Sequence, residues 1–379
     1  MKVLFACGGT GGHINPAIAV AQRLRELHPD CAVLFVGAVG GMERQLIPKE
    51  GFDAEYIKVR NLVHRLTPSA AVKNIKSAAL LAGAFRQSAR IIKAFAPDVV
   101  VGTGAYVSYP VLRKAAAMGL PTLTHESNVF PGLTTKLLAK RVDRVLTGFD
   151  GARERYPRPG NVIFTGTPVR SAFYRPDKQA AKKSLGLDDR PVLAVAFGSL
   201  GARDMNRVMA DVITLIARDG DTQVLMATGK AYYQWFPRLL REKGITAETH
   251  PHIRISEYFH NMPAIMAASD LLLSRAGTST LGELTACGLP AILVPSPNVT
   301  RGHQETNARE LEKTGGVLVR TESGIDAAAL HADIRALLFS TDTVARMSAA
   351  LRSAAVPDAA DRVCGIIAQM CEKKRGGKA

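Results

Sequence analysis

The chain opens with an apolar stretch that runs into a glycine-rich loop, Lys2-Val3-Leu4-Phe5-Ala6-Cys7-Gly8-Gly9-Thr10-Gly11-Gly12-His13-Ile14-Asn15-Pro16. The apolar part is shorter than the roughly 7 to 15 residues of a secretory signal and predicts a buried first β-strand. Glycines let backbone amides approach a ligand closely, and we expect Asn15 to cap the following helix with Pro16 in its first turn. A phosphate or another oxyanion could bind at such a helix start.

The pattern of strand, glycine loop and helix restarts at Pro191–Phe197, which is followed by Gly198-Ser199-Leu200-Gly201. Strand-like and helical segments alternate in both halves, which is typical of parallel sheets covered by helices on both faces. The sequence therefore predicts an α/β protein of two doubly wound, Rossmann-like domains that face each other across a cleft. We expect an N-terminal domain at 1–164, a C-terminal domain at 165–350 and a last helical segment at 351–379 that returns to the first domain.

Two common nucleotide-binding motifs are excluded by single residues. A dinucleotide fingerprint would place glycine where the chain has Ile14, and an acidic residue beyond the second strand, which ends at Gly37. The phosphate loop of nucleotide hydrolases needs Ser or Thr after Gly229-Lys230, and the chain has Ala231. The glycine loop at 8–12 therefore belongs to neither class.

The composition points to an anionic partner in a reducing compartment. Lys and Arg number 49 against 33 Asp and Glu, which gives a net charge of +16. Aromatic residues make up only 6%, too few for base-stacking platforms, so we expect no nucleic acid. No apolar run approaches the roughly 20 residues that cross a bilayer. The cysteines show no paired metal spacing, so we expect reduced thiols and no metal site at Cys7, Cys31, Cys287, Cys364 and Cys371.

His13 is the first candidate for catalysis. An imidazole with a near-neutral pKa suits the deprotonation of a hydroxyl, and the flanking glycines leave this side chain little to pack against. The alternative is a structural histidine at a helix start. Glu126, in the run His125-Glu126-Ser127-Asn128, is a second candidate base or a residue that orients His13.

Strand-end motifs of the second half together describe a nucleoside-diphosphate site. Small hydroxyl residues start a helix in Ser274-Arg275-Ala276-Gly277-Thr278-Ser279-Thr280-Leu281-Gly282-Glu283, and the next strand leads to Gly302-His303-Gln304-Glu305. Ligands of such sheets bind beyond the carboxyl ends of the strands. Glu283 could accept hydrogen bonds from both ribose hydroxyls. Asp219-Gly220-Asp221 spells a metal-binding Asp-x-Asp but precedes a strand, at the wrong end of the sheet.

These motifs, with Gly104-Ala105-Tyr106-Val107-Ser108 and Gly166-Thr167-Pro168-Val169-Arg170, occur in the order found in the MurG family of GT-B glycosyltransferases. The chain resembles this family from about residue 1 to residue 372. Members transfer N-acetylglucosamine from UDP-N-acetylglucosamine to lipid I, an N-acetylmuramyl-pentapeptide on undecaprenyl diphosphate, in peptidoglycan synthesis. The resemblance implies an acceptor domain followed by a donor domain, one inverting displacement and no cofactor.

Carried over by position, the resemblance implies which residues contact the donor. In the family the loop around Ser199 holds the diphosphate, Glu283 the ribose and Gln304 the sugar hydroxyls. The full set is Thr10, Gly11, Gly12, Asn128, Arg170, Ser199, Phe259, Thr278, Ser279, Thr280, Leu281, Gly282, Glu283 and Gln304. A transferase that glycosylates diacylglycerol and a sugar-nucleotide epimerase are the rival interpretations, because both share the architecture.

A lipid-linked acceptor requires contact with the membrane surface. The helix predicted at about Ser69 to Ala94 places apolar side chains at helical spacing among cations. We expect this patch to bind the anionic inner membrane from its cytoplasmic face through Lys73, Lys76, Leu80, Leu81, Phe85, Arg86 and Arg90. The alternative is that Leu80, Leu81 and Phe85 belong to the domain core.

Overall fold

The computed structural model describes residues 1–60, 68–151, 153–174, 176–198, 201–299 and 302–376, with the backbone alone for 68–79 and 375–376. The chain forms two compact units. Unit 1 comprises Met1–Arg170 and Val356–Ala379, and unit 2 comprises Ser171–Ala355. Each unit is a parallel sheet with helices on its faces, which confirms the predicted α/β class.

Unit 1 is built on strands β1 Lys2–Ala6, β2 Ala32–Ala38, β3 Asp53–Ile57, β4 Val99–Gly102, β5 Thr122–Glu126, β6 Arg144–Thr147 and β7 Val162–Phe164. They pair in parallel in the order β3-β2-β1-β4-β5-β6-β7. The helices between them are α1 Gly11–Leu27, α2 Glu43–Lys49, α3 Pro68–Phe95, α4 Ala105–Ala117 and α5 Leu133–Leu138.

Unit 2 repeats this winding. Its helices are α6 Lys178–Ser184, α7 Arg203–Asp219, α8 Phe236–Glu242, α9 Met262–Ala268, α10 Thr278–Cys287, α11 His303–Glu312, α12 Ala327–Leu338 and α13 Thr341–Ser353. Its strands are β8 Val192–Ala196, β9 Gln223–Ala227, β10 Ile253–Ser256, β11 Leu271–Ser274, β12 Ala291–Leu293 and β13 Val317–Val319. They pair in parallel in the order β10-β9-β8-β11-β12-β13.

Both faces of the first sheet are apolar, because successive side chains of a strand point to opposite sides and the central strands are continuous apolar runs. Phe5 packs in one cluster with residues of α1, whereas Leu4 packs in the other with α3, α4 and α5. The last helix, α14 Ala359–Gly376, closes the Phe5 side through Val363 and Ile367. Arg23 of α1 pairs with Asp361 of α14 at 2.6 Å. None of the described helices is both long and apolar enough to cross a membrane.

The start of α1 differs from the prediction. The helix begins at Gly11, and Thr10 occupies the N-cap position, where its carbonyl accepts hydrogen bonds from the amides of His13 and Ile14. Asn15 and Pro16 therefore lie inside the helix, and the expectation that they cap and open it is wrong. Glycine has low helix propensity, so residue type alone does not predict a helix that begins at Gly11.

Candidate functional site

The chain changes winding direction in unit 1 between β1 and β4. β1 pairs with β2 on one side and with β4 on the other, so the connections after β1 and β4 leave toward opposite directions. Ligands of doubly wound sheets bind at this point, beyond the carboxyl ends of the strands. The glycine loop at 8–12 follows β1 and the segment 103–105 follows β4, which brings His13 and Thr103 together.

His13 is held in one tautomer by the backbone of the neighbouring loop. Its Nδ1 lies 2.9 Å from the carbonyl oxygen of Thr103. A carbonyl can only accept, so Nδ1 carries the proton and Nε2 of the neutral ring keeps its lone pair. The Thr103 hydroxyl donates back to the His13 carbonyl at 2.5 Å. The arrangement leaves Nε2 as the nitrogen that can take a proton from a substrate.

Residue 104, whose backbone lies against the His13 ring, must be glycine. A Cβ at Gly104 would lie 2.5 Å from His13 Nδ1, and the φ of Gly104 is +103°. Ala105 follows with φ +61°, in the left-handed region that non-glycine residues rarely adopt. The hydroxyl of Ser108 donates to the carbonyls of Ala6 at 2.8 Å and of Gly104. Backbone strain of this kind is concentrated at functional sites, which fits the place of these residues beside His13.

Glu126 is a buried carboxylate whose two oxygens accept four hydrogen bonds. Oε1 accepts from the backbone and side-chain amides of Asn128 at 3.1 and 2.6 Å. Oε2 accepts from the amide of Gly132 at 2.9 Å and the hydroxyl of Thr135 at 2.6 Å. These contacts favour a role in holding the loop 127–132 over the alternative role of general base.

His125 contacts Ser127 at the start of the loop 127–132. Its Nε2 donates to the carbonyl of Gly166 at 2.9 Å, and Ser127 Oγ lies 3.2 Å from its Nδ1. Burial lowers the pKa of His125 below its ordinary value, against the opposing effects of the Gly166 carbonyl and Glu126. His125 is therefore a buried imidazole with a partner at each ring nitrogen, which makes it a structural residue.

Glu43 was not selected from the sequence, although it contacts the glycine loop. It is the first residue of α2 and is fully buried. Its carboxylate accepts hydrogen bonds from the amides of Ala38 at 2.7 Å and Gly9 at 3.2 Å. The weak signal in the sequence is the group of glycines at 37, 40 and 41 that precedes it.

Unit 2 has its own change of winding direction, between β8 and β11. Phe197 follows β8 and is buried, and the guanidinium of Arg275, after β11, lies 5.6 Å from its ring centroid. Arg275 also donates to the carbonyl of Val294 at 3.0 Å and to Glu322 at 2.8 Å. This buried arginine ties the ends of β11 and β12 to the loop after β13. Ser199, which the resemblance assigns to the diphosphate, lies outside the described residues.

The predicted donor residues of α10 and α11 lie at the same end of this sheet. α10 begins at Thr278 after Gly277, which offers no capping side chain, and its first turn has no acidic residue. Glu283, the sixth residue of that helix, is buried. Gln304 accepts a hydrogen bond from the amide of Ser296 at 2.8 Å, which orients its side-chain amide. Phe259 is half-buried in the connection after β10.

Arg170 and the rejected Asp-x-Asp motif have ionic partners. Arg170 pairs with Glu50 at 3.2 Å within unit 1. Asp219 and Asp221 both accept from Arg335, at 2.8 and 2.9 Å, at the amino-terminal end of β9. The two aspartates therefore serve an ion pair there, remote from the carboxyl ends of the strands where a ligand is expected.

Sequence profiles of two successive domains match the chain. The glycosyltransferase family 28 N-terminal domain matches residues 3–147, and the C-terminal domain of the same family matches residues 192–363. The chain belongs to glycosyltransferase family 28. This family 28 member therefore pairs an N-terminal domain built around β1 with a C-terminal domain built around β8, and the predicted glycosyltransferase class is confirmed.

Two relatives match over nearly their whole length and share one name, UDP-N-acetylglucosamine--N-acetylmuramyl-(pentapeptide) pyrophosphoryl-undecaprenol N-acetylglucosamine transferase. The protein of Acetivibrio thermocellus is 38% identical over 378 residues, which cover 100% of each chain. The protein of Thermoanaerobacter sp. is 38% identical over 368 residues, covering 97% of this chain and 99% of its own. The resemblance that the motifs predicted is confirmed by this full-length similarity.

Solved structures share the fold. The crystal structure of Acinetobacter baumannii MurG has a TM-score of 0.69 at 24% identity and covers 97% of this chain and 99% of its own. Anabaena Alr3699/HepE in complex with UDP and glucose has a TM-score of 0.63 at 13% identity and covers 97% of this chain and 99% of its own. At these identities the likeness shows the fold and no more.

Proposed function

We propose that the protein transfers N-acetylglucosamine from UDP-N-acetylglucosamine to the 4-hydroxyl of N-acetylmuramyl-pentapeptide on undecaprenyl diphosphate. The observation that carries this function is the 38% identity, over 100% of both chains, with a relative of that name. The reaction forms lipid II from lipid I in peptidoglycan synthesis. The geometry at His13 and at α10 supports the chemistry.

Donor binding is assigned to side chains and helix starts of unit 2, and the family resemblance implies further donor contacts at Thr10, Gly11, Gly12, Asn128 and Arg170. The N-termini of α7 and α10 carry partial positive charge that suits the diphosphate. Fixed dipoles stabilise the departing UDP without reorganisation during the reaction. Glu283 accepts the ribose hydroxyls, Gln304 contacts the sugar, and Thr278 to Gly282 supply the helix start.

The chemical step is one inverting displacement. Nε2 of His13 removes the proton of the acceptor hydroxyl, and the oxygen attacks the anomeric carbon of the donor. The bond from that carbon to the diphosphate oxygen breaks through an oxocarbenium-like transition state, and UDP leaves with the bonding electron pair. Glu126 acts on this step indirectly, because its hydrogen bonds hold Asn128 and the loop that follows β5.

The decisive experiment incubates the protein with labelled UDP-N-acetylglucosamine and a lipid I analogue, and we expect a labelled disaccharide-lipid. Two control reactions separate the rival functions. Diacylglycerol as acceptor should give no product, and donor without acceptor should give no epimer of the sugar. Product in either control reaction and none with lipid I would overturn the proposal.

Attachment to the membrane is assigned to the helical layer of α3, α4 and α5. Arg86 and Arg90 of α3 are exposed, whereas Leu80, Leu81 and Phe85 are half-buried and the Phe85 ring packs edge-on against Tyr109 at 6.1 Å. The side chains of Lys73 and Lys76 lie outside the described residues.

More exposed apolar side chains of this layer lie on α5 and just before it. Phe130, Leu133 and Leu137 are 47%, 42% and 44% exposed. Lys136 on α5 and Lys140 and Arg141 just after it are exposed cations. We therefore extend the proposed membrane surface from α3 to these residues, since apolar side chains among cations suit an anionic bilayer.

Substitution of Leu133 and Leu137 by Ser should weaken binding to anionic vesicles at least about tenfold, since each buried methylene contributes about 0.8 kcal/mol to membrane insertion. The thermal midpoint should hardly change, because both side chains are already exposed in the folded protein. Sedimentation with vesicles that contain anionic lipid measures the binding, and added salt should weaken it.

The matched variant replaces Leu81 and Phe85 by Ser. These residues are half-buried, so this variant should lose both vesicle binding and part of its stability. Unchanged vesicle binding in both variants, or no binding of the unaltered protein at low salt, would refute the membrane surface.

A further inference from the structure

A buried carboxylate anchors the glycine loop from behind. Glu43 has no exposed surface, and its two oxygens bind two amides that belong to different strand ends. Oε1 accepts from Ala38, the last residue of β2, at 2.7 Å. Oε2 accepts from Gly9, in the loop after β1, at 3.2 Å. One side chain therefore joins the ends of neighbouring strands on the side where the ligand is expected.

The surrounding glycines leave room for this carboxylate. A Cβ at Gly8 would lie 2.5 Å from Glu43 Oε1, and a Cβ at Gly41 would lie 2.1 Å from Oε2. A Cβ at Gly37 would lie 2.4 Å from Glu43 Cγ. None of these three glycines has a positive φ, so space for Glu43, and not backbone conformation, requires glycine there.

The charge of Glu43 reaches the side chains around the loop. Burial, and then the Glu43 carboxylate, raise the pKa of the Cys7 thiol and of the Tyr106 phenol. The Tyr106 ring lies 3.6 Å from the position of a Cβ at Gly9. Cys7 and Tyr106 are thereby kept protonated beside the glycine loop at 8–12, which directly precedes His13.

We infer that Glu43 is a positioning residue for transfer: it fixes Gly9 and so sets the path of the loop that presents Thr10, Gly11, Gly12 and His13. The inference rests on the proposed function, which gives that loop its contacts with the donor and its base. Glu43 itself has no exposed atom and acts through the loop.

Glu43→Gln tests this role with little change of volume. Glutamine has one acceptor oxygen in place of two, so Gly9 or Ala38 loses its partner and its amide meets an NH2 donor. We expect kcat to fall about 10- to 100-fold, because a misplacement of about 1 Å at a reacting group costs up to about 100-fold. The KM for UDP-N-acetylglucosamine should rise, while the Kd for UDP, which unit 2 binds, should stay within about twofold.

Amide hydrogen exchange gives a readout independent of activity. In Glu43→Gln, exchange should quicken in peptides that contain Gly9 or Ala38 and stay constant in a peptide that contains Thr122. If neither the unaltered protein nor the variant transfers sugar, the proposed function fails. Unchanged exchange at Gly9 and Ala38 in Glu43→Gln would by itself refute the anchoring role of Glu43.

Asp143→Asn is the matched control. The Asp143 carboxylate accepts hydrogen bonds from the backbone amide of Thr122 at 2.8 Å and from its hydroxyl at 3.0 Å. These contacts lie at the amino-terminal end of the same sheet. Asp143→Asn should lower stability without changing any KM.

A second variant tests Glu43 in case Glu43→Gln folds poorly. Gly41→Ala crowds the Glu43 carboxylate from outside the glycine loop and should reproduce the kinetic effect expected of Glu43→Gln. Unchanged KM values in both Glu43→Gln and Gly41→Ala would reduce Glu43 to a structural residue and overturn the inference.

Discussion

His13→Ala should lower turnover by about 10²- to 10⁴-fold, the contribution typical of a general base. The physical reason is the tautomer that Thr103 imposes. Nδ1 of His13 donates to the Thr103 carbonyl at 2.9 Å, so Nε2 of His13 is the nitrogen that accepts the proton. Removing the imidazole also removes that one hydrogen bond, which the partly exposed site can replace with water. Steady-state kinetics with saturating donor and acceptor measure the loss.

The control for His13→Ala is the affinity for UDP, which should stay within about twofold because the nucleotide contacts of unit 2 are unaltered. Circular dichroism should show a folded protein. A loss of less than about tenfold would make His13 structural, and Glu126 would become the leading candidate base. Glu126→Gln then distinguishes the two roles, since a positioning carboxylate acts through Asn128 and Gly132, whose amides it binds.

Glu283→Ala should weaken donor binding by about 2 to 4 kcal/mol, or thirtyfold to several-hundredfold in kcat/KM, if the carboxylate accepts two ribose hydroxyls. Glu283 is buried in the second turn of α10, close to the helix start that is proposed to hold the diphosphate. Titration calorimetry with UDP and kinetics at low donor concentration measure the loss.

A donor analogue without the ribose 2′-hydroxyl gives the matched comparison. The unaltered protein should bind this analogue more weakly than UDP-N-acetylglucosamine, whereas Glu283→Ala should no longer distinguish the two. A variant that keeps normal kinetics, or that still prefers the complete ribose, would refute the assignment. Glu283→Gln controls for the cost of emptying a buried position, because its side chain has nearly the same volume.

The first strands of the two units were predictable because their signals are local. Apolar runs that are followed by glycine mark β1 and β8. The long helix predicted at about Ser69 to Ala94 lies at Pro68–Phe95. Helix caps were less predictable: Asn15 has the residue type of a cap, but the helix begins four residues earlier, at Gly11.

The exposure of apolar side chains was also beyond the reach of periodicity. Leu81 and Phe85 have the helical spacing of a surface patch, yet both are half-buried. Phe85 is covered in part by Tyr109 of α4. Leu133 and Leu137 lie on a helix of six residues, too short for a periodic signal. The hydrophobic pattern of a helix defines which residues share a face, and the neighbouring elements decide what covers that face.

The sequence by itself determined the two α/β units, the glycine loops after their first strands, and His13 and Glu283 as residues at the carboxyl ends of strands. Only the tertiary structure decided how the carboxylates are used. Gly9 and Glu43 are 34 positions apart, and His13 and Thr103 are 90 positions apart, yet each pair forms a hydrogen bond. Strand order brings these loops together, and a hydrogen bond forms only within about 3 Å. The residue types alone therefore could not reveal that Glu126 and Glu43 are bound by backbone amides while Nε2 of His13 keeps its lone pair.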